Sequence, residues 1–281
     1  MPNPLKIFSI SKKQSTIPFK EYYTNWFHTL KNPLLPLLHQ TLSSPSSQAL
    51  LSSHLNLLLH HFLSYYDSLD LAVTTDPNNL PYLLFPSWRN SLEKPFLFLG
   101  DLHPYTFTNL IRSFLDQENH SDDENDLVLD NYNEKKSLVV LDRPWQVMMA
   151  WKNTSKKLIN KIEQIECGLR LIVPSLMDRY KRAQAGFVAR VADDWVGFGG
   201  KKEKFDVGEA MKMETEELVS VFVDANRLRR SVISEIVGAL NVYQGALFLE
   251  GLAQFLVGFK EPGLIREFEK CKIPINDRAG N

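Results

Sequence analysis

The chain predicts an all-α fold: an antiparallel helical bundle of long amphipathic helices with a disordered acidic insertion. Three observations carry that expectation. Apolar residues recur at steps of three and four through most of the 281 residues, which places them on single helix faces. Strand patterns are feeble, since Leu138 to Asp142 (LVVLD) is too short to stand apart from a lead-in to a helix. One block, Asp116 to Glu134, has no such periodicity and holds eight acidic residues with no Lys or Arg. A block of that kind lacks the apolar area to offset its ordering entropy.

In order along the chain, the first helix carries Phe19, Tyr23, Trp26 and Leu30 on one face. It is expected to stop at Lys31-Asn32-Pro33, because a proline disfavours helical geometry in the residue before it. Ser43 to Ser47 (SSPSS) reads as a break. The helix after it has the cleanest seam, Leu51, Leu55, Leu58, Phe62, Tyr65 and Leu69, which requires a partner helix. Asp76-Pro77-Asn78-Asn79 reads as a turn. Trp88, at a helix junction ahead of a charged turn, is expected to be buried. An aromatic-apolar run, a turn containing Gly100 and a helix from about Pro104 follow, the helix with Phe107, Leu110, Ile111 and Phe114 inward. Beyond the acidic block, one long helix is expected from Trp145 through Leu158, Ile162, Ile165, Leu169, Ile172 and Leu176, with Pro174 as a kink or break. Val196 to Gly208 (VGFGGKKEKFDVG) reads as a hinge-like loop. Two helices close the chain. One carries Leu218, Phe222, Ala225, Leu228, Val232 and Ile236; the other is capped by Asn241 and carries Val242, Ala246, Leu249, Ala253 and Leu256. The expected organisation is a flexible N-terminus at 1–15, a single helical domain over 16–272 interrupted by an acidic loop at 116–137, and a flexible tail at 273–281.

Composition narrows the function classes. The formal net charge is −1, with 44% hydrophobic and 23% charged residues. That balance gives no whole-surface attraction to nucleic acid or to an anionic membrane. Cys167 and Cys271 have neither CxxC nor framework spacing, which favours free thiols in a reducing compartment. The N-terminus MPNPLKIFSISKK lacks the apolar core of a signal peptide, and neither terminus signals lipidation. The apolar run from Ala246 to Phe259 is interrupted by Glu250 and Gln254 and falls short of a membrane span. An intracellular protein with only peripheral membrane contact is expected.

No catalytic constellation is legible, and no enzyme activity is expected. His54, His60 and His61 share a helix but none pair at the i, i+4 spacing that would hold one ion; His28, His39, His103 and His120 are scattered. Neither G-x-S-x-G nor H-E-x-x-H occurs, and Cys167 has no evident His and Asn partners. VGFGGKK resembles a phosphate loop, but Lys201 is followed by Lys202 where that motif needs Ser or Thr. Asp193 and Asp194 are adjacent on a helix end and point apart. Arg227, Arg229 and Arg230 form a tight cluster flanked by acidic residues, unlike the concentrated basic face that nucleic acid requires.

Charge segregation is the stronger clue. Lys135 to Lys204 carries 15 basic and 7 acidic residues, opposite in sign to the eight-acid block before it. Two readings remain open. The acidic block neutralises its own basic helix, or Asp122, Asp123, Glu124 and Asp126 form a partner-docking strip, switchable by phosphorylation at Ser121 or by calcium-like ions.

Three blocks resemble the Delay of Germination domain, a plant module found in germination regulators and in the C-terminal half of TGA-type bZIP factors. FKEYYTNWFHTL (Phe19 to Leu30) is similar to the family's opening aromatic helix. In PSWRNSLEKPFLFLGDLHPYTF, Trp88 and Glu93 match a Trp and an acidic residue, and Gly100 falls in the Gly-rich turn. In DANRLRRSVISEIVGALNVYQGALFL (Asp224 to Leu249), Leu228, Arg229 and Gln244 match the family's helices. The family's W-x-G-G-W-R-P-S becomes Phe98-Leu99-Gly100-Asp101-Leu102-His103-Pro104-Tyr105, losing both tryptophans, a glycine and the arginine. "LT" becomes Leu240-Asn241, and the chain begins almost at the domain, so no direct bZIP-like DNA binding is expected.

The stand-alone domain, its divergent motifs and its acidic tract are most similar to the family's branch in pollen development. That resemblance implies a non-enzymatic adaptor or scaffold at the cell cortex, bound to protein partners. It would mark plasma-membrane domains of developing microspores, where exine is withheld and pollen apertures form. Some family members hold haem or an acyl lipid, but with the motif altered no ligand site is carried over and no cofactor is expected. The alternatives are a ligand-sensing regulator, with haem or lipid in the bundle core, and a nuclear transcriptional co-regulator.

Overall fold

A computed structural model describes residues 17–44, 47–116, 144–152, 154–196 and 207–270. Each long stretch of three-and-four periodicity within them folds as a helix, and the fold is all-α apart from a two-stranded hairpin. α1 (Phe19–Thr29) buries Tyr23 and Trp26. The stop expected at Pro33 does not occur: the chain runs through a π-turn, Leu30–Leu34, directly into α2 (Leu35–Ser43). In an α-helix the proline ring collides with the carbonyl four residues back, and one wider turn relieves the clash. Leu30, Leu34, Leu38 and Leu42 lie at steps of four on either side of that turn and all are buried, so packing holds the helix together across the defect.

α2 ends inside the Ser-rich break, and the Ser47 side chain caps α3 (Gln48–Thr75) by accepting the Leu50 N–H at 3.2 Å. All six seam residues of α3 are buried, joined by Tyr66 and Val73. Asp76 caps a 3₁₀ turn, Pro77–Asn79, that leads into α4 (Leu80–Leu84). A second 3₁₀ turn, Lys94–Phe96, precedes the hairpin of β1 (Leu97–Phe98) and β2 (Asp101–Leu102), paired antiparallel with Leu97 opposite Leu102. α5 (Tyr105–Asp116) follows and buries Phe107, Ile111 and Leu115.

The single helix expected from Trp145 is two. α6 (Trp145–Met148) ends in turns, and α7 (Lys156–Val196) starts afresh with the Ser155 hydroxyl accepting the Leu158 N–H at 3.2 Å. Ser and Thr side chains that bond to nearby backbone compete with a continuing helix, which explains the interruption. α7 in turn is not broken at Pro174 but runs through it for 41 residues. Pro174 is exposed, while Val173 and Leu176 beside it are buried and keep the turn in place. α8 (Val207–Ala239), α9 (Val242–Gly258) and α10 (Pro262–Lys270) complete the order. Asn241 caps α9 as expected, in a capping box with Gln244. The acidic block, LVVLD and most of the glycine-rich loop (residues 197–206) lie outside the described residues.

Side-chain pairs give the directions. Lys161, Arg179 and Arg190 of α7 meet Glu235, Asp224 and Glu214 of α8, so these helices form an antiparallel hairpin. Asp67 and Asp70 of α3 meet Arg230 and Asn226 of α8, and Tyr22 and Trp26 of α1 meet Ser68 and His61 of α3. Both pairings are antiparallel too. α3 and α9 lie at the centre of the buried apolar cluster. Among the described residues no single helix is long and apolar enough to cross a membrane. α9 and α10 reach that length only as a pair bent by 53°.

Candidate functional site

The loop from Trp88 to Leu102 carries charge into the middle of the bundle. Both central residues of its hairpin turn have positive φ, Leu99 at 45° and Gly100 at 85°, the backbone of a type I′ turn. Glycine is required at the second position: a Cβ there would stand 2.3 Å from the Leu83 carbonyl oxygen. That close approach seats the hairpin on α4 and α8 and turns Asp101 inward, where 1% of it is exposed.

Asp101 is the hub of an ionic knot. Its carboxylate accepts the Arg89 Nη2–H at 2.6 Å, the Tyr65 hydroxyl at 2.7 Å and the Leu102 backbone N–H at 2.8 Å. Arg89 Nη1–H also donates to Glu93 at 2.9 Å, and the second Glu93 oxygen takes the Asn90 N–H at 2.8 Å and Lys260 Nζ at 2.6 Å. Arg229 of α8 donates to the backbone carbonyls of Leu102 (2.8 Å) and Phe98 and to the Asn226 side chain (2.6 Å). Two buried guanidiniums thus balance two buried carboxylates, with Lys260 at the rim. Burial alone would raise the Asp101 carboxyl; Arg89, Arg229 and Tyr65 more than offset it and hold it below the usual carboxylate range. Burial lowers Arg229. Each carboxylate oxygen is engaged and shielded from water, so the arrangement acts as a lock joining α3, the hairpin, α8 and the end of α9, not as an acid–base pair.

Trp88 is half-buried rather than buried, because it lies at the edge of this knot, packed on Phe19 and Tyr23 with ring centroids 5.2 and 5.9 Å away. The fully enclosed residue is its neighbour Arg89. Gln244 is buried, and besides capping α9 it donates to the Ala150 carbonyl at 2.9 Å, which fastens the segment after α6. The three-arginine cluster is dispersed: Arg227 pairs with Asp224, Arg229 is interior, and Arg230 reaches Asp67 and Asp70.

Much of the positive charge on α7 is answered by neighbouring helices. Arg112 of α5 holds Glu166 through two bonds of 2.8 Å, and Lys161, Arg179 and Arg190 pair with carboxylates of α8. Arg170, Lys181 and Arg182 are exposed and form no ion pair among the described residues. Beyond Tyr180 on α7 and before Leu218 on α8 no described hydrophobic residue belongs to the core or packs against it, so the far end of this hairpin stands clear of the core. The docking residues expected from sequence, Asp122, Asp123, Glu124 and Asp126, lie outside the described residues, as do Ser121 and Cys271.

Three histidines of the bundle are held by neighbouring groups. His39 sits 2.6 Å from Glu250, His54 2.7 Å from Thr41, and His61 3.0 Å from the Trp26 carbonyl. None lines the clefts on the surface of the α7–α8 hairpin or the 150 Å³ pocket between Thr41, Leu51, Val147 and Tyr243. Ligand cavities span roughly 300–1,000 Å³, so that pocket fits neither haem nor an acyl chain. Among the described residues, no group of three or more His, Cys, Asp or Glu side chains is placed to hold a metal ion.

The sequence alone marks Glu93 and Arg229 only as family matches and Asp101 only as a departure from the family's motif. What it does not show is that the three form one buried assembly with Arg89. Comparisons with known proteins give the family. The family model described as "Seed dormancy control" matches residues 34–113, which include Tyr65, Arg89, Glu93 and Asp101. Protein INAPERTURATE POLLEN1 of Arabidopsis thaliana is 51% identical, over 96% of this chain and 99% of its own length. Protein INAPERTURATE POLLEN 1 homolog of Oryza sativa subsp. japonica is 32% identical, over 91% and 90%. Protein ZW2 of Arabidopsis thaliana is 20% identical, over 89% and 98%. Matched by the family model over residues 34–113 and sharing most of its length with these relatives, the chain belongs to the Delay of Germination (seed dormancy control) family, alongside the INAPERTURATE POLLEN1 proteins.

Proposed function

We propose that the protein is a pollen aperture factor that works as a non-enzymatic adaptor. It marks plasma-membrane domains of developing microspores so that exine is withheld there and apertures form. The observation that carries this reading is the 51% identity with INAPERTURATE POLLEN1 over nearly the whole of both chains. The ionic knot supports an adaptor over an enzyme, because its titratable groups are consumed in holding four segments together. Membrane recruitment proceeds through protein partners, since a helical domain of balanced charge needs a partner or a basic face to gain membrane affinity. Asp122, Asp123, Glu124 and Asp126 contribute to partner contact.

The test is complementation. Expressed as a fluorescent fusion from a microspore promoter in Arabidopsis lacking INAPERTURATE POLLEN1, the chain is expected to collect in cortical foci and to restore apertures. Pollen that stays without apertures despite a stable fusion would overturn the reading, and a uniformly nuclear signal would favour a transcriptional co-regulator.

A further inference from the structure

Two clefts adjoin on the outer side of the α7–α8 hairpin. One, of about 500 Å³, lies between the helices over Leu171, Leu176 and Leu228, with Arg179 and Arg227 at its edge. The other, of about 540 Å³, runs along α7 past Pro174 and is bordered by Arg170, Lys181 and Arg182. Leu171 belongs to both and is 76% exposed, and Ile172 beside it is 44% exposed. Large aliphatic side chains thus face water midway along a helix that buries Leu158, Ile162, Ile165, Leu169, Val173 and Leu176. Around them stand five cations, Arg170, Arg179, Lys181, Arg182 and Arg227, against two carboxylates, Asp178 and Asp224. Asp224 is shared by Arg179 and Arg227 at 2.6 and 2.8 Å, so the excess charge around the apolar floor is positive.

We propose that this double cleft is the docking site for an acidic amphipathic helix of a partner protein. Leucine-like anchors one turn apart would enter over Leu171, Leu176 and Leu228, and flanking carboxylates would meet Arg170, Lys181 and Arg182. The backbone of two helices offers no strand edge, so recognition proceeds through side chains, and a groove between helices suits an apolar helix face. The positive excess selects a partner of opposite charge and speeds encounter. It also opposes self-pairing across this face, which would set the same cations against one another. A lipid surface fits less well, because the floor is concave and Asp178 stands among the cations. Pro174 has no N–H to give the Arg170 carbonyl, and no packing reason for its exposed position; it leaves a backbone acceptor at the cleft.

This proposal rests on the adaptor reading, and its test separates the two. A fluorescein-labelled 18-residue stapled helix is titrated into the full chain by anisotropy; it has leucines at i, i+4, i+7 and i+11 and glutamates between them. Saturable binding is expected, weakened at least tenfold by Leu171→Asp and by the triple variant Arg170→Glu/Lys181→Glu/Arg182→Glu. Both variants should keep the wild-type melting temperature, since all four residues are exposed. A scrambled peptide of the same composition should not bind. Equal binding by the variants or by the scrambled peptide overturns the site. So does a variant-sensitive affinity found instead for phosphatidylserine vesicles, or for a second copy of the chain in ultracentrifugation. In microspores, variants that lose the peptide but still form cortical foci and apertures sink the cleft and leave the adaptor standing. Confirmed, variant-sensitive peptide binding together with a wild-type fusion that never reaches the cortex keeps the cleft and sinks the adaptor.

Discussion

Replacing Asp101 by Asn would keep its shape and remove its charge, leaving two buried guanidiniums opposite the single carboxylate of Glu93. Breaking a buried pair from one side typically costs about 3–5 kcal/mol, and Asp101→Asn is expected to do so, read as a drop in the urea midpoint. Acid should act on the same residue. Its folded carboxyl is held below the usual range, so the folded state binds fewer protons than the unfolded one. The stabilisation is complete above about pH 4 and is lost as pH falls through the lowered folded value. Burial lowers His61 and His103, with Arg229 adding to the shift at His103. Their unfolded forms take up protons first, so an earlier, smaller decline should begin near about pH 6.5. Asp101→Asn should flatten the lower step and leave the upper one. Trp88→Ala, expected from sequence to cost about 3–5 kcal/mol as a buried aromatic, should fall at or below the low end because the ring is half-buried. Part of this site was legible. Phe222, Ala225, Val232 and Ile236 leave a gap that strict alternation of three and four fills with residue 229, yet an apolar-only reading chose Leu228. Arg229 is 0% exposed and Leu228 9%. A charge on a core seam is the signal that was available. That its fellow charges would be Arg89 and Asp101 could not be read, because the pairing spans more than a hundred residues and is set by the fold.

Within the elements, periodicity located the helices well and local chemistry located their ends less well. The α3 seam, the Ser47 break and the Asn241 cap all follow from side-chain spacing and capping donors, which act within a turn. Pro33 does not stop its helix, and Pro174 does not break its own. A proline's local cost is real, but Leu30, Leu34 and Leu38 around the first, and Val173 and Leu176 around the second, bury enough apolar surface to carry the helix past it. Pro174 therefore remains a local liability at an exposed site. Pro174→Ala should raise stability by up to about 3 kcal/mol, and an unchanged or lower melting temperature would show that the proline's neighbours depend on it. Gly100 is the opposite case. Its left-handed φ and the Leu83 carbonyl at 2.3 Å from a would-be Cβ leave no room for a side chain. Gly100→Ala should cost about 2–4 kcal/mol, and because the turn aims Asp101, it should also shift the acid step of the unfolding curve.

At the scale of the molecule, the division between buried and surface charge separates stability from recognition. The charges of the knot, Arg89, Glu93, Asp101 and Arg229, are all enclosed. Surface pairs such as Lys161–Glu235 and Arg179–Glu217 contribute little each, because solvent screens them. The helices α5 and α6 on either side of the acidic block are anchored independently of it, α5 by Ile111 and Leu115 and the segment after α6 by Gln244. Converting Asp122, Asp123, Glu124 and Asp126 to Asn and Gln should therefore leave the melting temperature within about 1 °C of wild type, since neither anchor draws on them and changes away from the packed core rarely exceed about 0.5 kcal/mol. If these residues dock a partner, the same variant should lose cortical foci in microspores and fail to restore apertures. If instead they only neutralise α7, removing four negative charges should leave localisation intact and strengthen binding of the acidic helix probe, by freeing Arg170, Lys181 and Arg182. The two readings left open by the sequence thus differ in what they predict for the localisation of one variant, and a lowered melting temperature would contradict both by placing those residues in the stability of the fold.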